Sequence, residues 1–430
     1  MQNSKLPKVL VVGTSAWRED GTAHTLMDIF RCWDPDKVAL IYTRADLPDT
    51  TVCHRYFQIS ESQVLNSVFK PWMKVGRVVE NTPKITAEAE EEHRRYTKGH
   101  KKPSSILPLA REFVWMLGRW KSTALKKFVF DFDPDIVFVP IYPTVFMGRI
   151  QHYILKLCNK PYVCYLADDN FSYDSCKGLL SYLHRFWLRK NVRWLSTHCK
   201  QMFVIVEKEK EETDRDFGTD SIILTKSIDF TNRTYMSHEI NRPIKFVYTG
   251  SLIIGRDKTL AMIAEAINEI NLCNSLAELD IYSQTTPSDE MMLRLNRGSS
   301  HFKGFAPRSE MDEIQKEADV VVFAESLEGK SANIARLSFS TKITDYLSNG
   351  KCILAVGKEY IAPIDYFRRN DSAIIASNEE QIKDSIKLIV NNPSIIWEYG
   401  KKAYDCAVRN HEKQMINKRF IESMINILNK

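Results

Sequence analysis

The chain has no apolar stretch approaching 18 uninterrupted residues, so no segment reads as a transmembrane helix. It also lacks any Cys-x-x-Cys pair or clustered His/Cys set: its nine cysteines, an odd number, are scattered from Cys32 to Cys406. That pattern offers neither a disulfide framework nor a structural zinc site, and reads as reduced thiols in a cytosolic protein. No metal ligand set is expected. No Gly-x-Gly-x-x-Gly is present, which removes the usual support for a nicotinamide site. Net charge is only +6, with 27% charged and 44% hydrophobic residues, a globular composition without large-scale disorder. Met1 to Lys8 is short and polar and runs into the strand-like Val9 to Val12, so a signal peptide is not expected.

What the chain does have is alternation. At 430 residues it exceeds one core of about 100–200 residues, so two or three domains are expected. In the first 240 residues, strand-like runs at Val9 to Val12, Val38 to Tyr42, Ile136 to Val139, Tyr162 to Leu166 and Met202 to Val206 are separated by helical patterns such as Thr22 to Cys32. Asp34-Pro35-Asp36 and Asp133-Pro134-Asp135 are turns that introduce two of these strands. Ala87 to Lys102 is a charge run that reads as a solvated helix or loop. Residues 226–243 lose periodicity and suit a linker. A second series follows, with strands at Phe246 to Thr249, Leu279 to Tyr282, Val320 to Phe323, Ile353 to Val356 and Ala373 to Ala376. Its first helix, Thr259 to Ile270, has Leu260, Ile263, Ala264, Ile267 and Ile270 on one face. The expected organisation is α/β: a doubly wound domain over 1–240, a second over 244–408, and a terminal helix in 409–430 docking by Ile416, Phe420, Met424 and Ile427. Two such halves imply an interdomain cleft beyond the carboxyl ends of the strands.

Two segments of the second half carry chemistry. In Leu337 to Val356, Ser340 and Thr341 can cap a helix opening at about Lys342, whose free N–H groups and dipole favour an anion. Lys342 adds charge there, Asp345 could accept from a sugar hydroxyl, and Gly350 ends the helix. After the first strand of this half, Thr249-Gly250-Ser251 leads through Gly255-Arg256-Asp257-Lys258 into a helix, a tight glycine turn with two cations at its mouth. A diphosphate fits that pattern.

Together with His301-Phe302-Lys303-Gly304-Phe305 and Ala318-Asp319-Val320-Val321-Val322, these segments resemble the C-terminal half of GT-B glycosyltransferases, close to glycosyltransferase family 4. The likeness is clearest from Phe246 to Asn378, and its most specific part is Lys342 to Lys351. It implies two Rossmann-like domains, a nucleoside diphosphate sugar bound by the second and a hydroxyl acceptor by the first. It assigns Arg256 and Lys258 to the donor diphosphate, Asp345 to the ribose, and the backbone near Phe305 to the base. Gly250, Ser251, Ser340 and Thr341 would line the donor. The implied reaction retains anomeric configuration and serves cell-surface polysaccharide or glycolipid assembly. It needs no cofactor beyond the donor, and no metal if Arg256, Lys258 and Lys342 stabilise the leaving diphosphate. The chain departs from the family pattern at Leu337, where a sugar-contacting glutamate is common, at Asp345 and Ser340, which replace glutamate and proline, and near Ser251, where an arginine is missing.

In the first half, Gly13-Thr14-Ser15 and Gly21-Thr22 fit a loop approaching the donor, and Asp168-Asp169-Asn170 follows a strand. Asp168 could orient an acceptor hydroxyl or take its proton, and an Asp-Asp-Asn turn is the structural alternative. Asp131-Phe132-Asp133 precedes its strand and is read as structural. Residues 181–200 hold Arg185, Arg189, Lys190, Arg193 and Lys200, with Phe186, Trp187 and Trp194 and no acid. That helix suits peripheral contact with the inner face of an anionic membrane and a lipid-linked acceptor, or is an ordinary amphipathic helix. Nucleic acid is disfavoured, since no reader motif accompanies the charge. The rival readings are a GT-B nucleotide-sugar epimerase and a non-catalytic GT-B nucleotide-binding or scaffold protein.

Overall fold

The computed structural model describes residues 6–19, 24–70, 72–84, 86–92 and 106–429. Gly21-Thr22 and most of the 87–102 charge run lie outside them. The chain divides into two compact units, one of residues 1–205, 210–225 and 417–430, the other of 206–209 and 226–416.

The first unit holds β1 (Val9–Val12), β2 (Val38–Tyr42), β3 (Arg55–Gln58), β4 (Arg77–Val79), β5 (Ile136–Pro140), β6 (Tyr162–Leu166), β7 (Gln201–Val204) and β8 (Ile222–Ile223), in spatial order β4-β3-β2-β1-β5-β6-β7-β8. Every residue of β1, β2, β5 and β6 is buried, as expected of parallel strands covered on both faces. Only the β3–β4 pair is antiparallel. The second unit holds β9 (Ile244–Thr249), β10 (Ala277–Tyr282), β11 (Ser300–Gly304), β12 (Val320–Ala324), β13 (Cys352–Val356) and β14 (Ile374–Ala376), in the order β11-β10-β9-β12-β13-β14 with all pairs parallel. From β9 the chain first steps outward to β10 and β11, then returns to the other side of β9 at β12. The carboxyl ends of β9 and β12 are therefore a topological switch point, the position where open α/β sheets bind ligands.

Residues 226–243, expected as a linker ahead of the second domain, belong to the second unit. Their polarity hides the reason. The Asp319 carboxylate, at the start of β12, accepts from the backbone N–H groups of Asn241 and Lys245 and lies 3.2 Å from His238 Nε2. Burial alone would raise its pKa, but these bonds hold it below the usual carboxylate value. Tyr235 donates to the Trp397 carbonyl, so aromatic side chains anchor a segment without periodicity. The expected strand set also missed β3, β4, β8 and β11, which are short or polar.

The Lys413–Leu428 helix returns the chain to the first unit at residue 417. Phe420, 1% exposed, stands edge-on to Phe30 (5.4 Å) and Phe138 (6.2 Å) and packs on Trp33 (5.3 Å) and Phe203 (5.8 Å). Removing this ring leaves a cavity walled by aromatics that cannot collapse. Phe420→Ala is expected to destabilise the protein by about 3–5 kcal/mol, measured by urea denaturation. A loss under about 1 kcal/mol would show that the helix is not anchored there.

Candidate functional site

At the end of β9, Gly250 spends its N–H on the Tyr282 carbonyl, 2.9 Å away. What it provides is room: a Cβ here would lie 2.5 Å from Lys342 Nζ and 2.6 Å from the Tyr248 hydroxyl. Tyr248 donates to the Ser251 carbonyl at 2.7 Å, which pins the turn. The turn then passes through two left-handed residues, Ile254 (φ 62°) and Gly255 (φ 78°). For a β-branched side chain that conformation is strained. Its effect is to start the Arg256–Ile270 helix directly over the sheet end.

The carboxyl end of β12 supplies the partner. Glu325 receives two bonds from Arg256, Nε to Oε2 at 2.9 Å and Nη2 to Oε1 at 2.7 Å, while its backbone carbonyl accepts from Thr259 Oγ1 at 2.9 Å. This fork uses two of the five guanidinium donors and leaves the Nη1 edge for another anion. Lys258 pairs instead with Glu328 at 2.6 Å, both side chains about half exposed. Arg256 and Lys258 carry their own carboxylates, because the loop after β12 returns two glutamates to the mouth of the helix after β9.

Ser340 caps the Thr341–Ser348 helix, its Oγ accepting from Lys342 N at 3.4 Å. Lys342 is pushed down to about 8 by burial and by the nearby Arg256, with Glu325 and Asp345 opposing. Its Nζ lies 6.0 Å from the Tyr248 ring centroid. Tyr248, Arg256, Glu325, Ser340, Lys342 and Tyr346 share the wall of a cavity of about 30 Å³, enough for a water but not a nucleotide. A ligand would therefore lie along its mouth.

Asp345, one turn along this helix, is held by Lys226 at 2.5 Å. The Lys226 carbonyl in turn accepts from His411 Nδ1 at 3.1 Å, so Nε2 of the neutral ring accepts from the Tyr366 hydroxyl at 2.8 Å. Lys351 ends the motif but serves the fold: its Nζ donates to the Lys316 and Ala318 carbonyls, at the end of the Arg308–Glu317 helix. Leu337 is fully buried, an apolar side chain where the family pattern has a carboxylate.

The structure thus gathers Gly250, Ser251, Arg256, Ser340, Thr341, Lys342 and Asp345 around one switch point. Phe305, 63% exposed, follows β11, two strands from β9. Gly13 and Asp168 belong to the first unit, after β1 and β6. There Asp169 accepts from the Ser172 hydroxyl and backbone N–H, and Asn170 donates to the Ile141 carbonyl at 3.0 Å, so two of the three turn residues are structural while Asp168 is exposed. Asp133 is the left-handed cap of the Thr123–Phe132 helix, and Asp131 pairs with Lys127. Sequence reasoning missed Glu325, Tyr248 and Lys226. Glu325 had a signal, since it stands just after a buried strand, as Gly250 does.

No protein-family model and no curated protein matches this sequence. Among solved structures, HepE of Anabaena in complex with UDP has a TM-score of 0.62 at 11% identity, over 96% of this chain and 98% of that one. Sucrose-phosphate synthase from Thermosynechococcus elongatus gives 0.61 at 9% identity, over 96% and 97%. An α,α-trehalose-phosphate synthase (UDP-forming) from Burkholderia vietnamiensis gives 0.57 at 9%, over 97% and 99%. At such identities the likeness establishes the fold. The chain has the GT-B fold, with two Rossmann-like units.

The His411 ring yields a pH prediction. Its pKa is about 4 because burial disfavours the charged form, against about 6.5 in an unfolded chain. Below pH 6.5 the unfolded state takes up a proton that the folded state refuses, so stability falls from 6.5 down to about 4 and is unaffected above 6.5. The loss at the acid end is on the order of 3 kcal/mol. Comparing urea midpoints at pH 7 and 4.5, wild type should lose more than His411→Gln. Equal losses would remove His411 from the account.

Proposed function

We propose that this protein is a glycosyltransferase, moving a sugar from a nucleoside diphosphate sugar to a hydroxyl acceptor. The observation that carries the reading is the convergence of Lys342, the Arg256–Glu325 pair and a capped helix N-terminus at the switch point of a GT-B domain. HepE, with UDP bound, and the UDP-forming synthase favour uridine diphosphate as the leaving group. Negative charge grows on the bridging oxygen as the sugar departs. Lys342, the Nη1 edge of Arg256 and the helix dipole would stabilise it, with Lys258 as an outer cation. Asp345, already oriented by Lys226, would accept from a ribose hydroxyl, with the base near Phe305. The positive charge in this scheme comes from side chains rather than a metal, and no cofactor beyond the donor takes part. Family likeness supports retention and transfer of a hexose.

We infer further that Asp168 orients or deprotonates the acceptor, with Gly13 lining the donor, and that the acceptor is lipid-linked, in cell-surface polysaccharide or glycolipid assembly at the inner membrane face. No helix among the described residues is long and apolar enough to cross a membrane. The Leu179–His198 helix supports peripheral contact, because Leu179, Tyr182 and Phe186 are exposed on it. Two of its cations are otherwise engaged: Arg185 binds the Asp169 carbonyl and Arg189 pairs with Asp216. The buried Leu337 and the two carboxylate-paired cations favour a second reading, nucleotide binding without transfer.

Because Lys342 in the free protein titrates near 8, its charge is present below that pH and lost above it. Affinity for UDP, followed by calorimetry, should decline as pH is raised from 7 through 8, with that decline absent in Lys342→Met. Turnover in Lys342→Ala should fall by about 10²–10³. Wild-type rates in that folded variant would sink the mechanism, and UDP binding without transfer to any acceptor would select the second reading.

A further inference from the structure

A second cavity lies within the first unit. About 1610 Å³ in volume, it is a groove between the Ile106–Leu117, Val145–Cys158 and Leu179–His198 helices. That exceeds the roughly 300–1,000 Å³ that suits a compact small molecule. Along the second helix, Val145, Gly148, Arg149, His152, Tyr153 and Lys156 face it, and along the third, Leu180, Leu183, Trp187, Asn191 and Trp194. Both sets have the spacing of one helical stripe. A stripe of this kind is ordinarily covered.

The lining is apolar and aromatic with a basic rim. Five Lys or Arg side chains line the groove against one carboxylate, Glu112. Glu112 Oε1 accepts from Val145 N at 2.7 Å and lies 3.8 Å from His184 Nε2, while its Oε2 is buried with no hydrogen-bond partner among the described residues. Lys156 stands eleven residues along the helix from Val145, about 16 Å at 1.5 Å per residue. Near that end, Lys121 Nζ lies 5.3 Å from both the Trp120 and Tyr153 ring centroids. Lys190 likewise lies over Trp187, at 5.7 Å. The Trp115 Nε1 and Tyr153 hydroxyl groups are buried with no hydrogen-bond partner among the described residues. The groove is therefore polarised, with its acid at one end and cations bound to aromatic faces toward the other.

We propose that this groove holds the hydrocarbon chain of a phosphate-headed lipid, with the phosphate at the Lys121 and Lys156 end. The chain lies against Leu180, Leu183 and Trp187, and the anion meets Lys156 and Lys121, the latter lying over the Trp120 and Tyr153 rings. An acidic protein helix has the same charge sign but calls for cations along its whole length, whereas the groove has its acid at one end and Lys121 and Lys156 at the other, as a single headgroup on a long chain requires. The proposal rests on the lipid-linked part of the functional reading and is independent of the donor site.

The test uses the full-length protein and all-trans-farnesyl phosphate below its micellar concentration, read by tryptophan fluorescence, since Trp115, Trp120, Trp187 and Trp194 line the groove. Saturable binding is expected, with farnesol about tenfold weaker and inorganic phosphate silent. Leu183→Glu and Trp187→Ala, at exposed positions that leave the core intact, should each weaken farnesyl phosphate by about tenfold or more. Lys121→Glu with Lys156→Glu should weaken farnesyl phosphate but spare farnesol. UDP affinity, measured in parallel, should be unchanged in all of them. Absence of saturable binding, binding indifferent to these substitutions, or a response to inorganic phosphate alone would each overturn the groove assignment. With UDP affinity intact, any of these outcomes leaves the donor reading standing, and failure of UDP binding with farnesyl phosphate retained would do the reverse.

Discussion

Two cations held close together in a desolvated place require a fixed counter-charge, and the candidate site depends on that constraint. Arg256 and Lys342 meet where β9 and β12 end, and Glu325 is the buried carboxylate between them in charge terms. Its bidentate grip aims the guanidinium, and its backbone carbonyl ties the Arg256–Ile270 helix to β12 through Thr259. Without it, repulsion and burial would act together on Lys342. With it, the pair leaves one lysine of depressed basicity facing a small opening. Under the proposed function, an arriving diphosphate would restore the charge that burial takes away.

The surrounding structure can be read as what keeps that arrangement in place. Gly250 is small because Lys342 and Tyr248 fill the space a Cβ would need, and Ile254 accepts a strained backbone so that the helix begins at the carboxyl end of β9. Farther out, His411 holds the Lys226 backbone, Lys226 holds Asp345, and Asp345 lies one turn from Lys342. Each contact is ordinary. Together they connect the end of the chain's second unit to the candidate ribose carboxylate.

The first unit has a different character. Its sheet is closed in by aromatic packing around Phe138 and Phe420, yet among the described residues three helices on one of its faces leave a groove between them. The helix that seemed uniformly cationic divides its charges between tasks. Arg185 and Arg189 secure the turn after β6, and Lys190 rests on Trp187 at the groove. A count of charges could not have separated those roles.

Much of the fold was legible because its strands are continuous apolar runs that only a covered parallel sheet accommodates. Val9 to Val12, Tyr162 to Leu166 and Ile353 to Val356 needed no tertiary information, and neither did the capped helix at Ser340. By itself the sequence determined the alternation, the glycine turn and the cluster of candidate anion-binding residues, because these are properties of adjacent residues. It could not determine that Arg256 and Lys258 would meet Glu325 and Glu328, some seventy positions away. Nor could it show that Leu337 is buried, that 226–243 packs on Asp319, or that three helical stripes face one another across a groove. Those outcomes depend on strand order, and only the folded sheet, in placing β12 beside β9, decided which of the candidate cations meet a carboxylate.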